Sequence, residues 1–346
     1  MPMHLVHSVF FGGGTPSLMH PEWVYRVLQH VRHIWPTVSD WEVTLEMNPN
    51  EAEKAGDFVR AGVNRFSMGV QSFHAESLAL LGRSHTVNDL TTALSFLQES
   101  GAAYSFDMIY GHALHAQPDK WRADLEHAVP WIKDHVSLYH LIYEQGTPFY
   151  KYRTDELSDN TMLHLDHIVR STVEPLGLKQ YEISNYAKSH ARSRHNLIYW
   201  TYHDFLGIGP GAHGRMRTNG CGQAVPKWAT ENWGKPDVWL DAVDQKGNGH
   251  ARCSVLTRNQ CAEEHLLMSL RLTDGFLMRD LVTENESLSD AFCRHVDVCR
   301  KEKLIYDDTD RIRLTQRGQR VLNSVASFLC QDPIVDDVSV DTGVGP

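Results

Sequence analysis

Three consecutive glycines end an apolar run near the start of the sequence, in Phe10-Phe11-Gly12-Gly13-Gly14-Thr15-Pro16-Ser17. Glycines in that position let a ligand approach the backbone closely and leave N–H groups exposed to it. The spacing is not G-x-G-x-x-G, and no Gly-Lys-Ser/Thr follows, so the phosphate-loop chemistries are excluded. Alone, the run serves equally well as a tight strand-to-helix turn, with Pro16 and Ser17 opening the helix. Four polar residues add to it: Glu46 in Thr-Leu-Glu-Met-Asn-Pro, Gln71 in Met-Gly-Val-Gln-Ser, Arg83 in Leu-Leu-Gly-Arg-Ser-His and Asp107 inside the apolar run Ser-Phe-Asp-Met-Ile-Tyr-Gly. An acid within a buried strand is costly unless it is paired or used. Each of these residues by itself could be a cap or half of a surface ion pair. Their recurrence at successive strand ends points to a ligand site. A second region, His195-Asn196-Leu197-Ile198-Tyr199-Trp200, sets His195 and Tyr199 four apart, on one face if the segment is helical. Lys188, His190, Arg192 and Arg194 form a basic cluster just before it.

The elements that must position these residues alternate. Strands are predicted over residues 8–11, 42–47, 65–70, 104–110 and 136–143, with a possible sixth over 180–183. Amphipathic helices are predicted over 21–34, 51–61, 87–100, 121–132 and 160–176. Strand, helix, strand at this spacing implies βαβ units and a parallel sheet. In such sheets the carboxyl ends of the strands form the active face, and the polar residues above cluster there.

Beyond residue 184 the pattern changes. Residues 185–244 are rich in His, Gly and aromatics, and 245–252 (QKGNGHAR) reads as a linker. Residues 253–330 read as a separate small module, with helices over 259–270, 287–302 and 317–329 and a hairpin turning at 307–310. That order suggests a winged-helix-like unit. Residues 331–346 read as a disordered acidic tail. A second glycine-rich turn, FLGIGPGAHGR, occupies 205–215.

The 346 residues are 42% hydrophobic and 22% charged, ordinary globular usage, and the formal charge is −10. An acidic balance argues against a general nucleic-acid binder, and no apolar run reaches the length of a membrane span. The six cysteines stand at 221, 253, 261, 293, 299 and 330, none in C-x-x-C or C-x-x-x-C spacing. They are too sparse for a disulfide scaffold and imply reduced thiols. The 21 histidines form no H-E-x-x-H motif and are expected to be mostly surface or core residues. No metal site is expected from these side chains.

FFGGGTPSL, EVTLEMNP, AGVNRFSMGVQSF, LLGRSH, DMIYG, HVSLYHLIYEQGTPFY, QYEISNYA, HNLIYW and FLGIGPGAHGR occur in that order over roughly residues 8–330. Together they resemble the radical S-adenosylmethionine haem chaperones, relatives of oxygen-independent coproporphyrinogen III oxidase, with the animal mitochondrial group most similar. The resemblance implies an α/β fold: an incomplete (β/α)6 partial barrel over 1–184, completed by 185–244 and followed by the 253–330 module. It implies that Gly13, Gly14 and Thr15 contact the methionine end of S-adenosylmethionine, and that Glu46, Gln71, Arg83 and Asp107 contact its polar groups. Carboxylates can accept from ribose hydroxyls and the ammonium, and Arg can clamp the carboxylate.

The resemblance also associates H-N-x-x-Y-W with haem. Imidazole is a common haem ligand, and Tyr199 and Trp200 offer flat apolar surface beside His195. The basic cluster could meet haem propionates. The competing reading is a solvated loop followed by a buried aromatic pair, with His195 hydrogen-bonded inside.

The family's first strand ends in a C-x-x-x-C-x-x-C loop that holds a [4Fe–4S] cluster, and residues 1–346 contain no such loop. The expectation is therefore a chain that begins at the family's second strand, has no catalytic residues of its own, and binds haem and S-adenosylmethionine. It would pass haem to an unknown acceptor haem protein without radical chemistry. The alternatives are a coproporphyrinogen III oxidase in a full-length form and an inactive fragment. The location expected is mitochondrial for the animal type and cytoplasmic otherwise.

Overall fold

The structure is a computed structural model that describes residues 5–143, 145–146, 149–151, 156–217, 227–282 and 287–336. They form two compact units, one within His4–His195 and one within Asn196–Pro346.

In the first unit the elements run β1 (Val6–Phe11), α1 (Pro21–Ile34), β2 (Thr37–Met47), α2 (Ala55–Ala61), β3 (Arg65–Gln71), α3 (Ala75–Leu80), α4 (Val87–Ser100), β4 (Ala103–Tyr110), α5 (Pro118–Ala128), β5 (His135–His140), α6 (Asp159–Val173), β6 (Lys179–Gln180) and β7 (Asn185–Ala187). One seven-stranded sheet follows the order β1-β2-β3-β4-β5-β7-β6. Strands β1 to β5 are mutually parallel, as the strand–helix alternation predicts.

The sixth strand differs from expectation. Residues 179–180 pair antiparallel with β7, and β7 pairs antiparallel with β5. Too few residues separate β6 from β7 for a crossover helix, so a hairpin forms. The fifth strand stops at His140, short of residue 143.

The sheet's two faces have opposite chemistry, because successive side chains alternate. Val43, Leu45 and Met47 of β2, Phe66, Met68 and Val70 of β3, Phe106 and Met108 of β4, and Val136 and Leu138 of β5 join one core with the helices. Phe58 of α2 and Trp121 of α5 are fully buried in it, each stabilising the layer by about 1.5–3 kcal/mol. The opposite face carries Glu42, Thr44, Glu46, Arg65, Ser67, Asp107, His135 and Ser137. A one-residue register slip would exchange the two sets, so the apolar layer fixes where the polar residues point.

After α7 (Arg194–Trp200), the second unit holds a three-stranded antiparallel sheet, β8 (His213–Arg217), β9 (Lys227–Asn232) and β10 (His250–Val255), with α8 (Pro236–Lys246) between β9 and β10. The expected linker over 245–252 is therefore a helix end and a strand start. The expected boundary at 253 falls inside β10, and the compact units divide at His195/Asn196 rather than at 184/185.

The remaining elements are α9 (Arg258–Ser269), β11 (Phe276–Leu277), α10 (Asp290–Lys301), β12 (Arg311–Ile312), α11 (Gln316–Arg320) and α12 (Leu322–Leu329). They enclose a second core around Leu266, Phe292, Val296 and Leu329. The expected hairpin is reduced to an Ile305–Leu314 bridge, because β12 pairs with β11 instead. Ile334 and Val335 are buried in this core, so the expected tail does not begin at 331. Residues 337–346 lie outside the described residues, as does Cys221.

Candidate functional site

The glycine run leaves β1 and crosses the carboxyl end of β2. Gly13 and Gly14 adopt left-handed φ of 77° and 63°, with open space where a side chain would stand. The Gly13 N–H donates to Glu46 Oε2 at 2.9 Å. Gly12 is constrained differently: a Cβ there would lie 2.5 Å from the Phe10 ring and 3.2 Å from Glu46 Oε1. Only glycine lets the chain pass between these two side chains. Thr15 then precedes a 3-10 turn over Pro16–Leu18.

Glu46 is one residue from the end of β2 and pairs in register with Ser67. Gln71 closes β3 with φ +73°, left-handed although it has a side chain, a conformation costing about 1–2 kcal/mol. The β3–β4 register shifts between Gly69 and Gln71, and a Cβ on Gly69 would stand 3.0 Å from Gln71 Nε2. The Gln71 amide thus folds back over Gly69, and Gly69 is the register partner of Asp107.

Asp107 Oδ1 is buried without a hydrogen-bond partner among the described residues. Burial pushes its carboxyl up to about 6, and the Glu46 charge adds to that. A Ser137 hydrogen bond and the charges of Arg65 and Arg83 oppose it. Desolvation lowers the Arg83 pKa, and Asp107 counteracts it. The structure therefore brings Gly13, Glu46, Gln71 and Asp107 together at adjacent strand ends, with Gly14 and Thr15 on the loop joined to them and Arg83, after α3, interacting electrostatically with Asp107.

His195 lies in the same unit. Its imidazole stacks on Phe10 with centroids 4.3 Å apart and planes at 14°. Burial lowers its pKa to about 4, so the ring is neutral at physiological pH. Proton NMR of the metal-free protein is expected to show His195 titrating near pH 4; titration near the ordinary value of 6.5 would contradict its burial.

Tyr199 and Trp200 belong to the other unit. Tyr199 packs on Phe205 at 4.4 Å. The Arg271 guanidinium lies 4.3 Å over the Trp200 ring, whose indole N–H has no acceptor among the described residues. The basic cluster is largely paired: Lys188 with Asp134 at 2.8 Å and Arg194 with Asp40 at 2.9 Å. The second glycine-rich turn closes on itself through a Phe205–Arg215 bridge.

A model of the radical SAM superfamily matches residues 3–114. The radical S-adenosyl methionine domain-containing protein 1, mitochondrial, of Danio rerio is 37% identical over 333 residues, covering 92% of this chain and 74% of that protein. The chain belongs to this family of radical S-adenosylmethionine proteins. Its relatives include the heme chaperone HemW of Bacillus subtilis, 30% identical over 92% of this chain and 84% of that protein. The coproporphyrinogen III oxidase HemN of Escherichia coli shares the fold, with TM-score 0.76 at 20% identity over 94% of this chain and 78% of that one.

The residues fit S-adenosylmethionine. Gly13 and Gly14 leave open space beside their backbone, the Asp107 Oδ1 orphan needs a donor, and Arg83 supplies a cation for a carboxylate. The family's [4Fe–4S] cluster does not fit the side chains present. The five described cysteines all lie beyond residue 250, and no group of three or more potential ligands converges among the described residues.

Several residues of the site were not evident from the motifs. Glu42 shares a strand face with Glu46 at period four, a legible signal. Asp124 and Tyr181 act only through tertiary contacts. His112 and His115 carry H-x-x-H spacing, with ring centroids 3.7 Å apart and planes tilted by 32°, both buried.

Proposed function

We propose that this chain binds S-adenosylmethionine at the carboxyl ends of β1 to β4 and haem through His195, and passes the haem to an acceptor haem protein. The observation that carries this reading is a neutral, half-buried imidazole stacked on the strand that runs into the glycine loop. The names of the HemW relatives support it from outside the geometry.

Each residue has a role that follows from its chemistry. The Gly14 backbone and Arg83 hold the ligand's carboxylate, while the Gly13 N–H stays on Glu46. Glu46 accepts from its ammonium. Asp107 and Gln71 take its ribose hydroxyls, Asp107 being able to donate or accept because its carboxyl titrates near 6. Bound S-adenosylmethionine supplies a sulfonium centre, and the C-x-x-x-C-x-x-C ligands of a reducing cluster are not written within residues 1–346.

In this reading His195 supplies an imidazole to haem iron. A single neutral ligand suits a carrier, since haem must leave again. The acceptor is a haem protein. A mitochondrial location is supported by the names of the Danio rerio and Mus musculus relatives.

Haemin titration followed by Soret absorbance tests the haem site. The His195→Ala variant is expected to lose the bound-state band or shift it strongly. An unchanged spectrum would remove His195 from the proposal. In anaerobic assay with coproporphyrinogen III, formation of protoporphyrinogen would favour the oxidase reading instead.

A further inference from the structure

The geometry points to Glu42 as the positioning residue of His195, an inference that rests on the haem reading above. Glu42 stands on β2 four residues before Glu46, on the same face of the sheet. Its carboxylate is committed to the segment that delivers His195. Oε2 accepts the Arg194 N–H at 3.0 Å, and Oε1 accepts the His195 N–H at 3.0 Å. The Ser193 hydroxyl donates to Oε1 at 3.4 Å. Three donors from three consecutive residues thus converge on one carboxylate.

The chemistry suits the task. An α-helix begins with N–H groups that lack intrahelical partners, and a carboxylate there is favoured by both hydrogen bonding and the helix dipole. Charge-assisted hydrogen bonds are about twice as strong as neutral ones. The neighbouring contacts fix the same segment from other directions. The Arg194 guanidinium donates to Asp40 Oδ2 and to the Asp40 carbonyl, both at 2.9 Å. The Ser193 N–H donates to Tyr181 Oη at 3.3 Å, and Tyr181 Oη is bonded to His135 Nε2 at 2.9 Å.

Phe10 completes the arrangement by setting the ring plane, while Glu42 sets the main chain from which the ring projects. A metal ligand held only by its own side-chain torsions would lose rotamer freedom on binding. Here that ordering is already made before iron arrives.

Glu42 touches neither iron nor porphyrin in this account. Its influence passes through the backbone of His195, and outer-shell partners of this kind typically change metal affinity by about 10–100-fold. A capping role confined to stability would leave the haem spectrum of the folded protein unchanged.

The test is haemin titration by Soret absorbance and electron paramagnetic resonance on the full chain, comparing wild type, Glu42→Gln, Glu42→Ala and His195→Ala. Circular dichroism confirms the fold of each. Glu42→Ala is expected to weaken haemin binding about tenfold and to move the ferric spectrum towards that of His195→Ala. Glu42→Gln keeps the side-chain shape and one accepting oxygen, so it is expected to recover part of the affinity and most of the spectrum. Added imidazole should restore the spectrum of His195→Ala.

If Glu42→Gln and any folded Glu42→Ala protein match wild type in affinity and spectrum while His195→Ala does not, Glu42 has no positioning role and the haem reading survives. If His195→Ala also matches wild type, the haem reading falls and the inference with it.

Discussion

Replacing Asp107 with Asn is expected to make the protein more stable at neutral pH and poorer at binding S-adenosylmethionine. The carboxyl is held at about 6 against an ordinary 3.8, with burial as the main cause. A raised carboxyl pKa means that the folded state prefers the protonated form. Its favourable contribution is complete below the unfolded value of 3.8 and is lost as pH rises through 6. Above about pH 6 the ionised group therefore burdens the fold by roughly 3 kcal/mol, two pKa units at 1.36 kcal/mol each.

Asn at this position has almost the same shape, keeps an oxygen for Ser137 and carries no charge. Chemical denaturation of wild type and Asp107→Asn at about pH 4 and about pH 7.5 should give a difference that grows by about 2–3 kcal/mol between the two. An equal difference at both pH values would remove the assigned burial cost. Equilibrium dialysis with S-adenosylmethionine should show the opposite sense, with affinity falling at least tenfold, as expected for losing a charged hydrogen bond of about 1.5–3 kcal/mol. Stability gained with binding lost is the expected signature of a residue retained for function.

The same residue shows how much could be read in advance. An acid inside an apolar strand is legible because nothing in a packed layer explains it, and Glu46 at a strand end is legible by the same logic. The parallel order of β1 to β5 follows from strand–helix alternation, since each run repeats with a helix of suitable length between. Gln71 could be singled out by position, but its left-handed φ could not, because that conformation is imposed by the register shift beside Gly69.

The sheet of β8, β9 and β10 left little trace in the sequence. Its strands read HGRMR, KWATEN and HARCSV, with charges and exposed positions where alternation would be sought. Antiparallel pairing between strands separated by a helix and a loop is decided by tertiary contact, not by a local pattern. The direction of β6 is not legible for a related reason: two residues carry no periodicity, and only the short connection to β7 reveals the hairpin. Glu42 shares the strand face of Glu46, which the sequence shows, but its role is not legible there, because its partners are backbone N–H groups more than 150 residues away.

Asp124→Ala is expected to be among the most damaging single changes to the first unit, although Asp124 lies outside every motif. It sits on α5 with no exposed surface. Oδ1 accepts the Phe73 N–H at 2.6 Å, and Oδ2 accepts the Ser72 hydroxyl. The Ser72 oxygen in turn accepts the His74 N–H at 2.9 Å. The carboxylate therefore fastens the three residues that follow Gln71, where the chain turns from β3 towards α3. Burial raises the Asp124 pKa, and the bonds from Ser72 and Phe73 work against that rise. Removing it leaves a buried N–H and a buried hydroxyl without their acceptor, each costing about 1–3 kcal/mol.

The sum, about 2–6 kcal/mol, should lower the midpoint of thermal unfolding by roughly 10 °C in a unit of this size. A shift within about 2 °C would mean that water replaces the lost oxygens and that the bonds contribute little. Ser72→Ala removes only the hydroxyl and leaves the Phe73 bond intact, so its shift should be smaller by at least half. The effect on binding separates anchoring from bulk stability. Gln71 keeps its left-handed φ only because its surroundings hold it there, and a residue in such strain relaxes when its neighbours loosen. Dialysis well below the unfolding midpoint should thus show weaker S-adenosylmethionine binding in Asp124→Ala. A core substitution of equal destabilisation, such as Leu165→Ala under α6, should bind as wild type does.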